Sequence, residues 1–278
     1  MSKIWFITGA GRGIGKEIAR SALEGGHRVV ATGRKVAELE ATFAPYREQV
    51  LCLPLDVADE RQSATAMARA IDRFGRIDVL VNNAGYGQLG LFEEVPGKAV
   101  EQQFQTNVFG LMHVTRAALP LMRSQRSGHI FNLASIGGFM GFESSSIYCA
   151  AKFAVEGFSE SLALEVARFG IHVTIVEPGF FRTDFLDASS VRYGGERIGD
   201  YGDPQGAPRT DYNAYNHRQP GDPAKLGRVL VQLAALARPP LHFPAGSDAV
   251  AYASKAYQRR QAEIAEHLAL SNSTDFAA

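Results

Sequence analysis

Short, almost wholly apolar runs alternate along this chain with longer segments that carry apolar residues at helical spacing. Strands that are apolar on both faces indicate a parallel sheet covered by helices on each side. Successive β-α-β units with right-handed crossovers then give an α/β fold, a doubly wound, Rossmann-like single domain over residues 1–278. The predicted strands are 4–8, 28–32, 50–54, 79–82, 130–134, 173–176 and a weaker 241–243, and the predicted helices are 14–24, 61–74, 99–122, 147–169 and 224–236.

Composition narrows the class of partner. The 29 basic and 29 acidic residues cancel, so nothing favours a nucleic acid or an anionic membrane. Two cysteines do not suggest a disulfide framework, and the seven histidines show no pair at metal-ligand spacing, so no metal site is predicted. The first apolar run is too short for a signal peptide, and no run approaches the ~20 residues that span a bilayer. We expect a cytoplasmic protein with a small-molecule partner.

Two segments break the alternation. Residues 182–223 are rich in Gly, Pro, Tyr, Asp and Arg, which predicts a substrate-binding loop, with plain surface disorder as the alternative. Residues 248–278 predict a C-terminal helical extension, solvated on one side and packed on the domain.

The first strand runs directly into a glycine-rich turn, Thr8-Gly9-Ala10-Gly11-Arg12-Gly13-Ile14-Gly15. Such a turn at a helix start lets backbone N–H groups approach a pyrophosphate, which the positive end of the helix dipole stabilises. A tight strand–helix connection is the alternative. The position at the start of the first β-α-β unit favours a dinucleotide site.

The end of the second strand bears on the choice of cofactor. NAD sites usually place an acidic residue here to bind the ribose hydroxyls, but this chain has Gly33 and then Arg34. Arg34, with Arg12 from the glycine turn, offers donors suited to a phosphate. Both could be ordinary surface arginines. The pattern favours NADP (NADPH), with NAD less favoured.

A polar set follows in the second half of the predicted sheet. Tyr148 and Lys152 stand four apart in a helical segment and so share one face. Ser135 ends a central strand, where ligands bind in such sheets. Asn107 lies in the middle of the predicted helix 99–122, where propensity would not choose it.

Together these elements resemble the short-chain dehydrogenase/reductase family over roughly residues 1–185. The residues that carry the resemblance are the Thr8–Gly15 turn, Asp56, Asn82-Asn83-Ala84-Gly85, Asn107, Ser135, Tyr148 with Lys152, and Pro178-Gly179 followed by Thr183. Residues 221–276 more loosely resemble hydroxysteroid-dehydrogenase-like members.

The resemblance implies an oxidoreductase that exchanges a hydride between a nicotinamide and a carbonyl or alcohol. Lys152 would lower the pKa of the Tyr148 phenol, ordinarily ~10, and hold the nicotinamide ribose. Tyr148 would be the acid or base, Ser135 would donate to the carbonyl oxygen, and Asn107 would bind a water that links Lys152 to solvent. A non-catalytic NADPH-sensing or scaffold protein with the same fold is the alternative.

The resemblance also implies a cofactor set. Asp56 would contact the adenine, Asn83 would brace the glycine turn, and Pro178, Gly179 and Thr183 would flank the nicotinamide. Each assignment has a structural alternative: Asp56 could cap a helix, Asn83 could form a turn, and Pro178-Gly179 could end a strand. Two residues depart from the usual pattern: Gly11 lacks a hydroxyl, and Glu177 has no evident role. The full set is Gly9, Gly11, Arg12, Gly13, Ile14, Gly15, Arg34, Asp56, Val57, Asn83, Ala84, Gly85, Tyr148, Lys152, Pro178, Gly179 and Thr183.

Aromatic and apolar residues stand at 86–88, 137–142 and 180–181, after the strands that carry the candidate site residues. They predict a lipophilic or aromatic substrate. Phe139 and Phe142 could instead simply pack under the loop. The predicted helices 99–122 and 147–169 are apolar on more than one face, which indicates a homodimer or homotetramer or, alternatively, a wide core-facing stripe.

Overall fold

The computed structural model describes residues 2–187, 190–195, 198–202 and 215–276. Within these ranges a seven-stranded parallel sheet has the order β3-β2-β1-β4-β6-β7-β9, and a separate two-stranded parallel sheet pairs β5 with β8. The strands are β1 Ile4–Ile7, β2 Arg28–Gly33, β3 Val50–Pro54, β4 Val79–Asn82, β5 Gly87–Leu89, β6 Gly128–Leu133, β7 Ile171–Pro178, β8 Val191–Tyr193 and β9 His242–Ala245.

Helices cover both faces of the main sheet, as the apolar strands require. Trp5 and Ile7 of β1 pack into one core, whereas Ile4 and Phe6, which point the other way, pack into a second. α1 and α7 cover the first core, and α3, α5 and α6 cover the second. The helices are α1 Gly13–Glu24, α2 Val36–Thr42, α3 Glu60–Phe74, α4 Gly97–Phe104, α5 Gly110–Gln125, α6 Ser146–Val166, α7 Pro223–Leu233, α8 Ser247–Glu266 and α9 Leu268–Asn272.

The strand order reverses between β1 and β4. From β1 the chain first moves outward through β2 to β3 and then crosses back to β4 on the other side. In doubly wound sheets, ligands bind at the carboxyl ends of the strands beside such a reversal. The predicted fold is therefore confirmed, and this edge of the sheet positions the site.

One predicted helix needs correction, and one short helix was missed. The helix predicted at 99–122 is two α-helices, α4 and α5, joined by a π-helical turn over Gln105–Phe109. The helix α2 was not predicted, because its seven residues are too few to show a helical period.

The segment 182–223 holds regular structure that its composition did not indicate. β8 lies in it and pairs with β5, and a short 3₁₀ turn covers Asp184–Leu186. Residues 188–189, 196–197 and 203–214 of the predicted loop lie outside the described residues.

The C-terminal extension buries side chains against the domain only as far as Ala256. Ala249, Ala253 and Ala256 of α8 are buried, whereas every described residue from 257 to 276 is exposed. Beyond Ala256 the helix is solvated, and Arg260 still contacts the domain through its hydrogen bond to the Phe139 carbonyl. None of the helices in the described ranges is long and apolar enough to cross a membrane.

Candidate active site

The glycine turn is bound to the end of β4 by Asn83. The Nδ2 of Asn83 donates to the carbonyl oxygens of Thr8 at 2.9 Å and of Gly9 at 3.1 Å. In return, the Thr8 hydroxyl oxygen accepts from the backbone N–H groups of Asn83 and Ala84 at 2.9 and 3.0 Å. Four hydrogen bonds therefore fix the turn, which explains an asparagine at this place.

Glycine is required in the turn for two distinct reasons. Gly9 and Gly13 have φ of +64° and +54°, the left-handed region that favours glycine. A Cβ on Gly15 would lie 2.3 Å from Nδ2 of Asn83 and 2.5 Å from the Gly9 oxygen, so only hydrogen fits. Thr183 approaches the same turn, since its Cβ would lie 3.5 Å from a Cβ on Gly13.

The first turn of α1 suits an anion. Arg12 precedes the helix without a side-chain cap to its N–H groups, and no acidic residue stands in the first turn. The first N–H groups of a helix have no partner within it, and they carry the positive end of the dipole. This arrangement fits the pyrophosphate of a dinucleotide, and Ile14 beside it packs against the core.

The end of β2 carries the residues predicted to select the cofactor. Arg34 and Arg12 are both exposed. Gly33 and Gly11 both lie against the buried Leu39 side chain, since a Cβ on either would lie 3.6 Å from one of its methyl groups. The end of β2 and the glycine turn thus meet over Leu39, with no acidic residue at the end of the strand.

Asp56 does not cap α3. The N-cap is Asp59, whose carboxylate accepts from the N–H groups of Arg61 and Gln62. Asp56 is half-buried after β3 and accepts from the Ala58 N–H at 3.1 Å, a turn contact. The capping alternative for Asp56 is therefore excluded, and Val57 beside it is buried.

Asn107 lies in the π-helical turn, a distortion often found at functional sites. Its amide makes two hydrogen bonds to the main chain of Tyr86, donating to the carbonyl at 2.9 Å and accepting from the N–H at 3.1 Å. A Cβ on Gly85 would lie 3.2 Å from its Oδ1. One N–H and one lone pair of the buried amide remain for another partner.

Ser135 follows β6, where it begins a 3₁₀ turn over Ile136–Gly138. Its Oγ accepts from the Gly137 N–H at 3.1 Å, which leaves the hydroxyl proton to donate elsewhere. A Cβ on Gly137 would lie 3.3 Å from Cε1 of Tyr148. Ser135 and the Tyr148 ring therefore flank the same glycine.

Tyr148 and Lys152 lie on one face of α6, as their spacing predicts. Nζ of Lys152 is 5.8 Å from the Tyr148 ring centroid, and it donates to the Leu133 carbonyl at the end of β6 at 2.6 Å. Burial lowers the pKa of Lys152 to about 8, and the nearby Glu156 opposes that shift. Lys152 is thus a buried ammonium beside a half-buried phenol.

Pro178 ends β7, and Gly179 follows at a tight contact. The Asp248 carboxylate accepts from the Phe180 N–H at 2.7 Å, and a Cβ on Gly179 would lie 2.3 Å from the same carboxylate. Close packing against Asp248 therefore explains the glycine at position 179.

Glu177, whose role the sequence did not explain, belongs to a buried polar cluster that the sequence did not predict. Its Oε1 lies 2.8 Å from Nδ1 of His242 on β9, and Oε2 of Glu156 on α6 lies 3.6 Å from the same nitrogen. Carboxylates and imidazoles also bind metal ions, and these donors lie within 4.8 Å of one another. These three residues lie far apart in the sequence, so no spacing between them indicates that they meet. The hydrogen bond between His242 and Glu177 explains why these two side chains lie together.

The aromatic residue beside Tyr148 is Phe185, which the sequence analysis missed. The two rings are 5.8 Å apart, and Phe185 also lies against Gly87 of β5. Phe139 instead packs in a cluster under α8, and Phe142 contacts Tyr252 of that helix at 5.6 Å. These contacts favour the packing alternative for Phe139 and Phe142.

Comparison with known proteins agrees with this geometry. A family model described as short chain dehydrogenase matches residues 3–193. The chain is 39% identical to oxidoreductase BOA17 of Botryotinia fuckeliana over 92% of this chain and 93% of the relative. It is 38% identical to the 3-ketodihydrosphingosine reductase of Bacteroides thetaiotaomicron over 88% of each.

Solved structures match the whole fold. A short-chain dehydrogenase from Streptomyces avermitilis superposes with a TM-score of 0.92 at 38% identity, covering 99% of this chain and 100% of the other. A short-chain dehydrogenase/reductase from Burkholderia phymatum in complex with NAD has a TM-score of 0.82 at 25% identity, covering 100% and 98%. ElxO with NADP bound has a TM-score of 0.73 at 29% identity, covering 87% and 96%.

Proposed function

Because the chain belongs to the short-chain dehydrogenase family, we propose that it is an NADPH-dependent oxidoreductase that interconverts a ketone or aldehyde with an alcohol. The single observation that supports this chemistry best is the Tyr148 phenol beside the buried Lys152 ammonium, with Ser135 across Gly137. A protein that only senses the cofactor has no need of that combination.

NADPH, when bound, supplies the hydride. Tyr148 donates its phenolic proton to the carbonyl oxygen during reduction, and the positive charge of Lys152 stabilises the phenolate that remains. Ser135 donates a hydrogen bond to the same oxygen, where negative charge develops. Asn107 holds a water with the N–H and lone pair that Tyr86 leaves unused, so that protons reach Lys152 from solvent.

For the cofactor, the absence of an acidic residue at the end of β2 and the exposed guanidinium of Arg34 support NADP over NAD. The glycine turn and the start of α1 would bind the pyrophosphate, and Asp56 would contact the adenine. Pro178, Gly179 and Thr183 would flank the nicotinamide, and the closeness of Thr183 to Gly13 supports that placement.

For the substrate, the ring of Phe185 beside Tyr148 supports a lipophilic or aromatic compound. The Bacteroides relative is named for the reduction of 3-ketodihydrosphingosine, which agrees with such a substrate. The segment 182–223, which holds Phe185, is proposed as the substrate-binding loop. The looser resemblance of residues 221–276 to hydroxysteroid-dehydrogenase-like members stays a prediction.

We further propose a cytoplasmic homodimer or homotetramer. Phe109 at the end of the π-helical turn, with Phe153 and Leu164 of α6, exposes apolar side chains that a second copy would cover.

A panel of lipophilic ketones and aldehydes, followed by loss of NADPH absorbance, tests the reaction class. We expect turnover by the wild type and its loss in Tyr148→Phe, with NADPH binding retained. Failure of the wild type to turn over any carbonyl while it binds NADPH would instead favour a cofactor sensor.

A further inference from the structure

The cluster of Glu156, Glu177 and His242 lies directly behind the proposed catalytic lysine. Glu156 follows Lys152 by four residues on α6, so the two side chains share a face. Both are more than nine-tenths buried, and Oε1 of Glu156 has no hydrogen-bond partner among the residues that the structure describes. A buried carboxylate oxygen without a partner is costly, so a proton or a charge has to compensate it.

Two carboxyls that share a buried site cannot both ionise easily. Burial, together with the neighbouring Glu177 and Glu160, raises the pKa of Glu156 to about 8, while Lys152 opposes the shift. Burial also raises the pKa of Glu177, and its hydrogen bond with His242 opposes that shift. The hydrogen bond with His242 favours the charged form of Glu177, so Glu156 is the carboxyl of the pair that holds a proton more readily.

The charged and titratable groups around Glu156 come from four elements. Lys152 and Glu160 share α6 with it, Glu177 is on β7, and His242 is on β9, with its Nε2 3.5 Å from Glu160. From α8, Tyr257 has a pKa raised by burial, Glu177 and Glu156, and Arg260 donates to the Phe139 carbonyl at 3.0 Å. His242 and Glu160 are partly exposed, which gives protons a route from solvent.

We propose that Glu156 is a positioning residue that acts through Lys152: it ionises as the solution becomes alkaline, and its carboxylate then keeps the buried ammonium of Lys152 charged. Glu177 and His242 set the pH at which this happens, since the fixed charge of Glu177 delays the ionisation of Glu156. This role rests on the proposed function only in that it is Lys152 of that site whose charge is sustained.

The charge of Lys152 can be followed without turnover. The chain has seven lysines, so the lysine side-chain NMR signals of ¹³C-labelled protein can be resolved, and Lys152→Arg identifies the Lys152 signal by its absence. We expect Glu156→Gln to lower the midpoint of the Lys152 titration by about one unit, from Coulomb attraction over one helical turn. Glu177→Gln should leave that midpoint unchanged or raise it, because Glu156 then ionises earlier. Glu165→Gln, an exposed change on the same helix, is the matched control and should have no effect.

Kinetics give the second readout. With a substrate from the carbonyl panel, the ratio of the Glu156→Gln rate to the wild-type rate should fall steadily as the pH rises, whereas a purely structural role would lower it equally at every pH. An unchanged Lys152 midpoint in Glu156→Gln overturns the proposal. A decrease of that midpoint in Glu177→Gln equal to the one in Glu156→Gln also overturns it, and so does a stoichiometric metal ion bound at the cluster. Should Glu156→Gln fail to fold, Glu156→Met, which also removes the carboxyl from this buried position, must lower the midpoint in the same direction. Because the titration needs no substrate, a failure of the reductase assay leaves this test intact.

Discussion

Replacing Gly15 by alanine adds one methyl group where the glycine turn meets Asn83. The new Cβ would lie 2.3 Å from Nδ2 of Asn83 and 2.5 Å from the Gly9 oxygen. Asn83 could swing away only by giving up its bonds to the Thr8 and Gly9 carbonyls, and the Gly9 oxygen is backbone and has to move with the turn.

The cost can be estimated from those contacts. Overpacking a tight site costs about 1–3 kcal/mol, and each lost hydrogen bond adds about 1 kcal/mol. A total of about 3–5 kcal/mol corresponds to a decrease in the unfolding temperature of roughly 6–20 °C for a chain of this size. NADPH affinity should fall as well, because the displaced turn is the one that approaches the pyrophosphate.

Thermal unfolding by circular dichroism and fluorescence titration with NADPH measure the two effects. Gly97→Ala is the matched control: Gly97 also stands in the first turn of a helix, but a Cβ there meets nothing within 4 Å. We expect that control to change stability by no more than about 0.5 kcal/mol. If Gly15→Ala unfolded and bound NADPH like Gly97→Ala, the contact with Asn83 would not be the reason for the glycine.

Single substitutions elsewhere in the chain test the choice of cofactor, the N-cap of α3 and a buried histidine. Arg34→Ala should weaken NADPH binding about tenfold or more, through loss of a charged hydrogen bond, and leave NADH binding nearly unchanged in parallel titrations. Asp59→Ala should lower the unfolding temperature, because it removes the N-cap of α3. Asp56→Ala should leave the unfolding temperature unchanged and weaken NADPH binding. If Asp56→Ala instead lowered the unfolding temperature and left NADPH binding unchanged, Asp56 would have a structural role. Burial lowers the pKa of His129 from 6.5 to about 3, so only the unfolded chain takes up a proton between those values, and stability falls as the pH drops. His129→Gln, which can still bond the Thr174 hydroxyl, should remove about 2 kcal/mol of the loss between about pH 6.5 and 5, as measured by urea unfolding at each pH.

Local patterns were enough to predict the sheet and much of the site's arrangement. Each apolar strand and each helical period is set by neighbours within about ten residues, and the parallel topology then places strand ends together. Tyr148 and Lys152 share a face because their spacing is one helical turn, and Ser135 lies nearby because β6 ends there. The roles assigned to these residues remain predictions.

Features that depend on distant parts of the chain could not be predicted in this way. The cluster joins α6, β7 and β9, and only the fold brings Glu156, Glu177 and His242 together. Phe185 lies beside Tyr148 and against Gly87 of β5, and β5 pairs with β8 further along the same segment; these two three-residue strands have no readable period. The π-helical turn that holds Asn107 likewise occurs together with two hydrogen bonds from Asn107 to the main chain of Tyr86, a partner outside the helix.

In the proposed reaction, Tyr148 delivers a proton to a carbonyl while the nicotinamide delivers a hydride to the same group. Reduction of an accepted ketone with NADPH deuterated at C4 of the ring tests this directly, with the product analysed by mass spectrometry and NMR. We expect deuterium on the carbinol carbon of the wild-type product, from one C4 position only, and no product from Tyr148→Phe at saturating NADPH. Undiminished labelled product from Tyr148→Phe would contradict it.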